Sequence, residues 1–301
     1  MKINNHTYIQ QLLVLLVKIL FVITRLTNGK GYGFIMRQLR KFAGDILVSI
    51  NLNSDSVFFF NIFDDYWNQL LMTNYSYEPE IHCALELLKD KEYCFIDAGA
   101  NQGYWSVLAS SDRYGKKKVI SIEGSSSTYK VLKTNCNANN RRFQILNRAI
   151  SSKDNTVVRF TQGAHAARHI DPAGNSTDTE AVKTITLSTI IDRFNQFGDR
   201  FVIKLDVEGA EISALQGVIQ KLDECDVLFI YEDHGNDPCH RVSQYFINSL
   251  DFNIFAYSKN KFYKIKNVDE LDSIKKNSNI GYNFLAFSDN SHFHNIIKNF
   301  S

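Results

Sequence analysis

Only three prolines occur in the 301-residue chain, which excludes long proline-rich linkers. The five cysteines (Cys83, Cys94, Cys136, Cys225 and Cys239) form no C-x-x-C pair, so neither a zinc cluster nor a thioredoxin-like site is expected. Their odd number and scatter suit a reducing compartment, and a cytoplasmic placement is expected. No internal repeat and no low-complexity tract appears. Acid is absent before Asp45, whereas Lys2, Lys18, Arg25, Lys30, Arg37, Arg40 and Lys41 all fall in that stretch. The formal charge of +2 therefore conceals a basic N-terminal segment and a net acidic remainder. The remainder carries no basic stripe, so nucleic acid is not expected as a partner.

Residues 9–26 are nearly continuous hydrophobe and read as a helix with Gln11, Lys18 and Arg25 on one narrow stripe. Its strongly apolar part, Leu12 to Leu26, would be about 22 Å long, against a hydrocarbon core of roughly 30 Å. With Lys18 in the middle a membrane span is not expected. No A-x-A-like site follows, so a cleaved signal peptide fits poorly. Two readings stay open. One is an interfacial helix making peripheral contact, through residues 8–41, with the cytoplasmic face of an anionic membrane. The other is a helix packed against the domain or a partner subunit.

Three regions are expected: a basic, apolar helical extension over 1–45, a hairpin and lead-in helix over 46–90, and the main domain over 91–301. The β-formers of 46–63, interrupted at 51–55, predict the hairpin. Pro79 suits a first helical turn, with Ile81, Leu85 and Leu88 on one face. The chain is organised around residues 94–109, CFIDAGANQGYWSVLA, which read as strand, tight turn and helix. Gly99 and Gly103 do not match G-x-G-x-x-G, because Asn101 and Tyr104 stand where glycines would be needed. Asp-x-Gly-x-x-x-Gly better fits S-adenosylmethionine, which has no pyrophosphate to seat on a helix N-terminus. The alternative is a purely structural turn.

Strands are then expected over 118–123, 143–150, 156–161, 181–187, 201–206, 227–232, 252–257, 262–265 and 284–287. Helices are expected over 127–137 (Val131 and Leu132 inward), 187–194, 210–222 and 241–250. This alternation implies a mostly parallel sheet covered on both faces. Four strands end in carboxylates, at Asp97, Glu123, Asp206 and Glu232. Ligands of open α/β sheets bind outside such ends, and Glu123, one strand–helix unit after Asp97, is placed to accept from ribose hydroxyls.

The phrases 77–80 (YEPE), 95–105 (FIDAGANQGYW), 204–211 (KLDVEGAE) and 214–217 (ALQG) resemble the FkbM family of S-adenosylmethionine-dependent methyltransferases. The likeness covers roughly residues 70–290. It implies an α/β, Rossmann-like class I methyltransferase sheet of seven strands, the last antiparallel, with helices on both faces. It also implies S-adenosyl-L-methionine as cofactor and O-methylation of a saccharide, glycan or similar small acceptor. Gly124-Ser125 departs from the proline usual after the second acid. By this resemblance Asp97, Gly99, Asn101 and Gly103 line the methionine and ribose part of the cofactor. Glu123 holds the ribose, and Glu78 approaches the methionine end.

Methyl transfer to a hydroxyl needs a positioned nucleophile and a base. The candidates are Asp206, Glu208 and His234, and histidine as a residue type suits a base at neutral pH. Lys204, two residues before Asp206, is expected to pair with a carboxylate, and Glu211 to sit at a helix start. Asp206, Glu232 and Asp233 offer hard oxygen donors, but no metal is required. The insertion with His165, Arg168 and His169 reads as a flap over the acceptor or as a surface connection. Alternatives to a hydroxyl acceptor are an amine or protein side chain, although no Asn/Asp-Pro-Pro-Tyr phrase is present, or a non-catalytic cofactor-binding module.

Overall fold

A computed structural model of the chain describes residues 7–26, 30–73, 75–161 and 179–298. The N-terminal hydrophobic run forms α1 (Tyr8–Arg25). It is entered through a capping box: Thr7 Oγ1 accepts from the Gln10 N–H, and the Gln10 side chain accepts from the Thr7 N–H. Val14 and Val17 are buried, with Leu13, Leu20 and Phe21 packed beside them, while Leu12, Leu15, Leu16, Ile19, Val22 and Ile23 remain exposed. Phe21 meets Tyr32 of α2 (Tyr32–Ala43) edge to face at 5.5 Å.

The expected hairpin is present as β1 (Leu47–Asn51) antiparallel to β2 (Val57–Asn61). A 3₁₀ turn, Trp67–Leu71, and α3 (Pro79–Leu87) follow, with Ile81, Leu85 and Leu88 buried. The organising stretch is β3 (Cys94–Ala98) and α4 (Tyr104–Ala109). Next come β4 (Lys118–Glu123) and α5 (Ser126–Ala138), capped by Ser125, which accepts from the Thr128 N–H. On α5 Leu132 is buried, but Val131 is only half-buried.

Residues 143–150 do not form one strand. They divide at Arg148 into β5 (Gln144–Asn147) and β6 (Ala149–Ile150), which belong to different sheets. β7 (Val157–Thr161) and β8 (Thr179–Ile185) pair antiparallel, and β6 pairs with β8. The chain continues through α6 (Leu187–Phe194) and β9 (Arg200–Leu205) to α7 (Glu211–Gln216). The helix expected over 210–222 is thus shorter; beyond Gly217 only a 3₁₀ turn, Ile219–Lys221, follows. An added Cβ on Gly217 would lie 2.6 Å from the Ser151 carbonyl oxygen, so the backbones meet there. β10 (Asp226–His234), α8 (Arg241–Leu250), β11 (Asn253–Ser258), β12 (Lys261–Lys264), α9 (Glu270–Ile274) and β13 (Gly281–Phe287) complete the sheet, and α10 (His292–Lys298) closes the described chain.

The main sheet has the order β12-β11-β13-β10-β9-β3-β4-β5. Neighbours from β10 to β5 are parallel. β13 runs antiparallel to both β10 and β11, so β11 keeps the common direction. Seven strands therefore follow the expected plan, with β13 the antiparallel one. The eighth, β12, is an antiparallel edge strand joined to β11 by a tight turn. Two cores sandwich the sheet. One gathers α1–α4 and the hairpin, and the other α6, α7 and α8.

Two asparagines one turn apart, Asn135 on α5 and its C-cap Asn139, tie the hairpin down. Asn135 accepts from the Phe59 N–H (2.6 Å) and donates to the carbonyls of Phe59 (2.9 Å) and Gln102 (2.8 Å). Asn139 accepts from the Val57 N–H (3.0 Å) and donates to the Val57 carbonyl (2.7 Å). Both side chains are buried, and between them they satisfy the outward backbone groups of Val57 and Phe59.

Candidate active site

Strand alternation places a polar patch on the face shared with the hairpin and α4. Phe95, Val202 and Leu228 point into that core, so Asp97, Lys204, Glu232 and His234, at even spacings from them, point to the same side. Register puts Ser121, Asp97 and Lys204 side by side across β4, β3 and β9. Two residues further along these strands come Glu123, Gly99 and Asp206. The lower row is buried and bonded: Ser121 Oγ donates to Ser106 Oγ (2.6 Å), and Ser106 Oγ donates to Asp97 Oδ2 (2.5 Å). Asp97 Oδ1 has no hydrogen-bond partner among the described residues. Burial raises the Asp97 carboxyl above its ordinary range, against the pull of Lys204 and Ser106.

Above this row a cleft opens at the carboxyl ends of β3, β4 and β9, where the strand order reverses. It holds about 630 Å³ of empty space, open solvent at its mouth included. Ile122, Ile150 and Val207 give it apolar walls. Asn101, Glu123, Ser125, Thr128, Arg148, Asp206 and Glu208 supply polar groups. Glu123 is fixed at its wall, accepting from the N–H groups of Asn101 (2.9 Å) and Ser125 (2.8 Å).

The glycines of the turn have a different cause from the one their motif suggests. Gly99 has φ +79°, and an added Cβ would sit 1.6 Å from the Asp206 carbonyl oxygen. The β3 and β9 turns are in backbone contact, with the Asp206 N–H donating to the Ala98 carbonyl (3.1 Å). At Gly103, φ +87°, a Cβ would lie 2.5 Å from Leu132 Cδ1 on α5. Gly99 lets backbone approach backbone, and Gly103 makes room for the Leu132 side chain.

Asp206 stands between the cleft and an acid-rich recess. Its Oδ2 lies 2.9 Å from Lys204 Nζ, as the i, i+2 spacing predicts. Burial pushes the Asp206 carboxyl up, but the lysine outweighs it and holds the group below its ordinary value. The buried Lys204 is held charged, well above its usual range, because Asp206, Glu78 and Asp97 more than offset its desolvation. Glu232 hydrogen-bonds to Asp206, and burial together with that neighbouring charge drives its carboxyl far upward. His234 Nε2 is 3.5 Å from Glu232 Oε2. Glu78, at the left-handed N-cap of α3, accepts from Trp105 Nε1 (2.5 Å), and burial raises it to about 7. Burial and then Asp206 raise Glu208 to about 8. Tyr66 and Tyr77 share a 2.8 Å hydroxyl contact beside these acids.

The structure thus brings Gly99, Asn101, Glu123, Asp206 and Glu208 to the cleft. It sets Asp97 beneath the turn, Gly103 behind it against α5, and Glu78 and His234 in the neighbouring recess. His234 lies on β10, paired with Gly281, instead of in the following loop. Glu211 opens α7 and accepts from the N–H groups of Val207 (3.2 Å) and Gly209 (3.1 Å), bracing the Glu208 loop. Asp206, Glu232 and Asp233 do not converge, because Asp233 points through the opposite face. There it is buried with Lys275 Nζ at 2.6 Å and accepts from Ser243 Oγ (2.5 Å). His165, Arg168 and His169 lie outside the described residues. Sequence reasoning missed Ser125, Thr128, Arg148 and Val207. Ser125 had a signal in the S/T cap before a helix, while Arg148 enters only because the chain breaks between β5 and β6.

A mostly parallel sheet whose seven-stranded core has one antiparallel strand, β13, a cleft at its switch point and an acid at the end of the second strand define a Rossmann-like fold of the class I methyltransferase kind. The sequence matches the methyltransferase FkbM domain over residues 97–273, more than half of its length, and the chain belongs to that family. Among solved structures it is similar to methyltransferase FkbM from Methylobacillus flagellatus KT, at 15% identity over 65% of this chain and 43% of that one, TM-score 0.41. It is similar to precorrin-6y C5,15-methyltransferase from Geobacter metallireducens GS-15, at 12% identity over 72% and 92% of the two chains, TM-score 0.39. It is also similar to P. horikoshii TYW2 in complex with MeSAdo, at 12% identity over 82% and 73%, TM-score 0.38. The chain thus spans less than half the length of the M. flagellatus protein. No curated protein matches it.

The family implies S-adenosylmethionine, and the cleft suits it chemically. Ile122, Ile150 and Val207 offer apolar surface to an adenine, and Glu123 offers a carboxylate to ribose hydroxyls. Asp206, held ionised by Lys204, adds negative charge to the same wall, as a cationic ligand requires.

Proposed function

We propose that the chain is an S-adenosylmethionine-dependent O-methyltransferase that modifies a hydroxyl of a saccharide, glycan or similar small acceptor. The observation that carries this reading is the position of Asp206, which lines the donor cleft and also borders the recess of Glu78, Glu232 and His234. Tyrosine rings and hydroxyls stand beside several carboxyl groups here, side chains suited to a polyhydroxylated molecule.

When bound, the cofactor supplies an electrophilic methyl group on a sulfonium, which leaves as a thioether keeping the electron pair. The protein's role is placement and proton transfer. Glu123 and the loop after Asp206 hold the donor. Asp206, kept ionised by Lys204, accepts a hydrogen bond from the acceptor. His234 takes the hydroxyl proton as the C–O bond forms, and Glu232 orients the imidazole.

The test is methyl transfer from labelled S-adenosylmethionine by the purified full chain to panels of glycans, lipids and proteins. Alkali-stable label on a carbohydrate hydroxyl is expected. Label on an amine or protein side chain, or no transfer to any class, would overturn the reading.

A further inference from the structure

We infer that α1 and α2 form a docking surface for an anionic lipid bilayer, with α1 lying flat in the interface. The sequence leaves α1 apolar on nearly every side, a pattern that belongs to a helix covered all round. The domain covers only one face. Val14 and Val17 are fully packed, whereas Leu12, Leu15, Leu16, Ile19, Val22 and Ile23, spaced at i, i+3, i+4 and i+7, keep 39–63% of their surface exposed. A contiguous apolar stripe this long on a soluble surface marks an interaction site.

Charge selects the occupant. Every charged residue before Asp45 is basic. Lys30, Arg37, Arg40 and Lys41 are exposed, and Phe34, Arg37 and Lys41 share one face of α2 at i, i+3 and i+7. Arg40 also pairs with Asp45 at 2.6 Å. A second copy of the chain meeting this face through a two-fold axis would set two wholly basic segments against each other. An anionic bilayer answers both features, taking the leucines and isoleucines to the acyl boundary and the cations among its headgroups.

Spanning is not involved: no helix among the described residues is long and apolar enough to cross a membrane. Lys18 is half-buried near the middle of α1, where a flat helix allows its ammonium to reach the headgroups. The surface also adjoins the active site. α1 packs on the 3₁₀ turn Trp67–Leu71, and Tyr66, the residue before that turn, faces the carboxyl groups of the recess.

Flotation of the purified full chain decides the matter, using phosphatidylcholine vesicles with and without about one-third phosphatidylglycerol. Association only with the anionic vesicles is expected, weakened at least about tenfold in molar salt, where the Debye length shrinks to about 3 Å. The double variant Leu12→Glu, Ile19→Glu is expected to lose association with an unchanged thermal midpoint and cofactor affinity, because both positions are outside the core. Arg37→Glu with Lys41→Glu is expected to weaken it independently. Equal binding to both vesicle types, or to neither, overturns the proposal. So does a stable dimer in light scattering that the Leu12→Glu, Ile19→Glu variant dissociates.

Discussion

Lys204 Nζ and Asp206 Oδ2 lie 2.9 Å apart on one face of β9, and this buried lysine fixes the charge of the carboxylate shared by the cleft and the recess. The same ammonium faces Glu78 and Asp97, so one cation is answered by three acids. Removing it strands buried negative charge. Lys204→Met is expected to destabilise the fold by about 3–5 kcal/mol near pH 8. The deficit should shrink toward pH 5, where the stranded carboxylates take up protons. Denaturant melts of both proteins at the two pH values check this, and a deficit that does not change with pH counts against it.

His234 lies beside Glu232 without lining the cleft proposed for the donor. His234→Ala is therefore expected to lower turnover by about 100-fold or more while leaving S-adenosylmethionine affinity within about twofold. Single-turnover assays paired with calorimetry separate the two quantities. Unchanged turnover assigns the proton to another group.

At Gly99 a methyl group would overlap the Asp206 carbonyl, whereas at Gly209, also left-handed, nothing lies within 4 Å of an added Cβ. Gly209→Ala should cost only the conformational penalty of about 1–2 kcal/mol. Gly99→Ala must also push the β3 and β9 turns away from each other, and a loss of more than about 4 kcal/mol with cofactor binding abolished is expected. Similar thermal midpoints for the two variants would show that the turns separate freely.

Glu208 and Glu78 hold protons in the folded protein up to about 8 and about 7, against an ordinary value of 4.5. Unfolding between these values releases protons, so their influence makes stability fall as pH rises from about 5 to 8. Glu208→Gln should flatten that fall and leave the variant more stable than the parent at pH 8. Parallel melts at pH 5.5 and 8 measure it. Identical slopes would mean that Glu208 ionises freely in the folded state.

Much of the sheet was readable because strand periodicity and strand-end acids are local signals. The turn at 94–104, the hairpin and the pairing of Lys204 with Asp206 needed only nearby residues. What escaped depends on distant chain. Gly99 matches a ligand-loop pattern, but its constraint is a carbonyl 107 positions later. Asp233 looks like a partner of Glu232 until strand alternation sends it through the sheet to Lys275. Arg148 joins the cleft because the run 143–150, which reads as one strand, serves two sheets.

Asn135 and Asn139 belong to the same unreadable class, since their partners lie 76 and 82 residues away. Amide side chains here stand in for a neighbouring strand at Val57 and Phe59 of β2. Asn135 also reaches the Gln102 carbonyl in the donor turn. A single side chain thereby makes the N-terminal layer and the turn after β3 one mechanical unit, and displacing the hairpin would pull directly on the turn that borders the cleft.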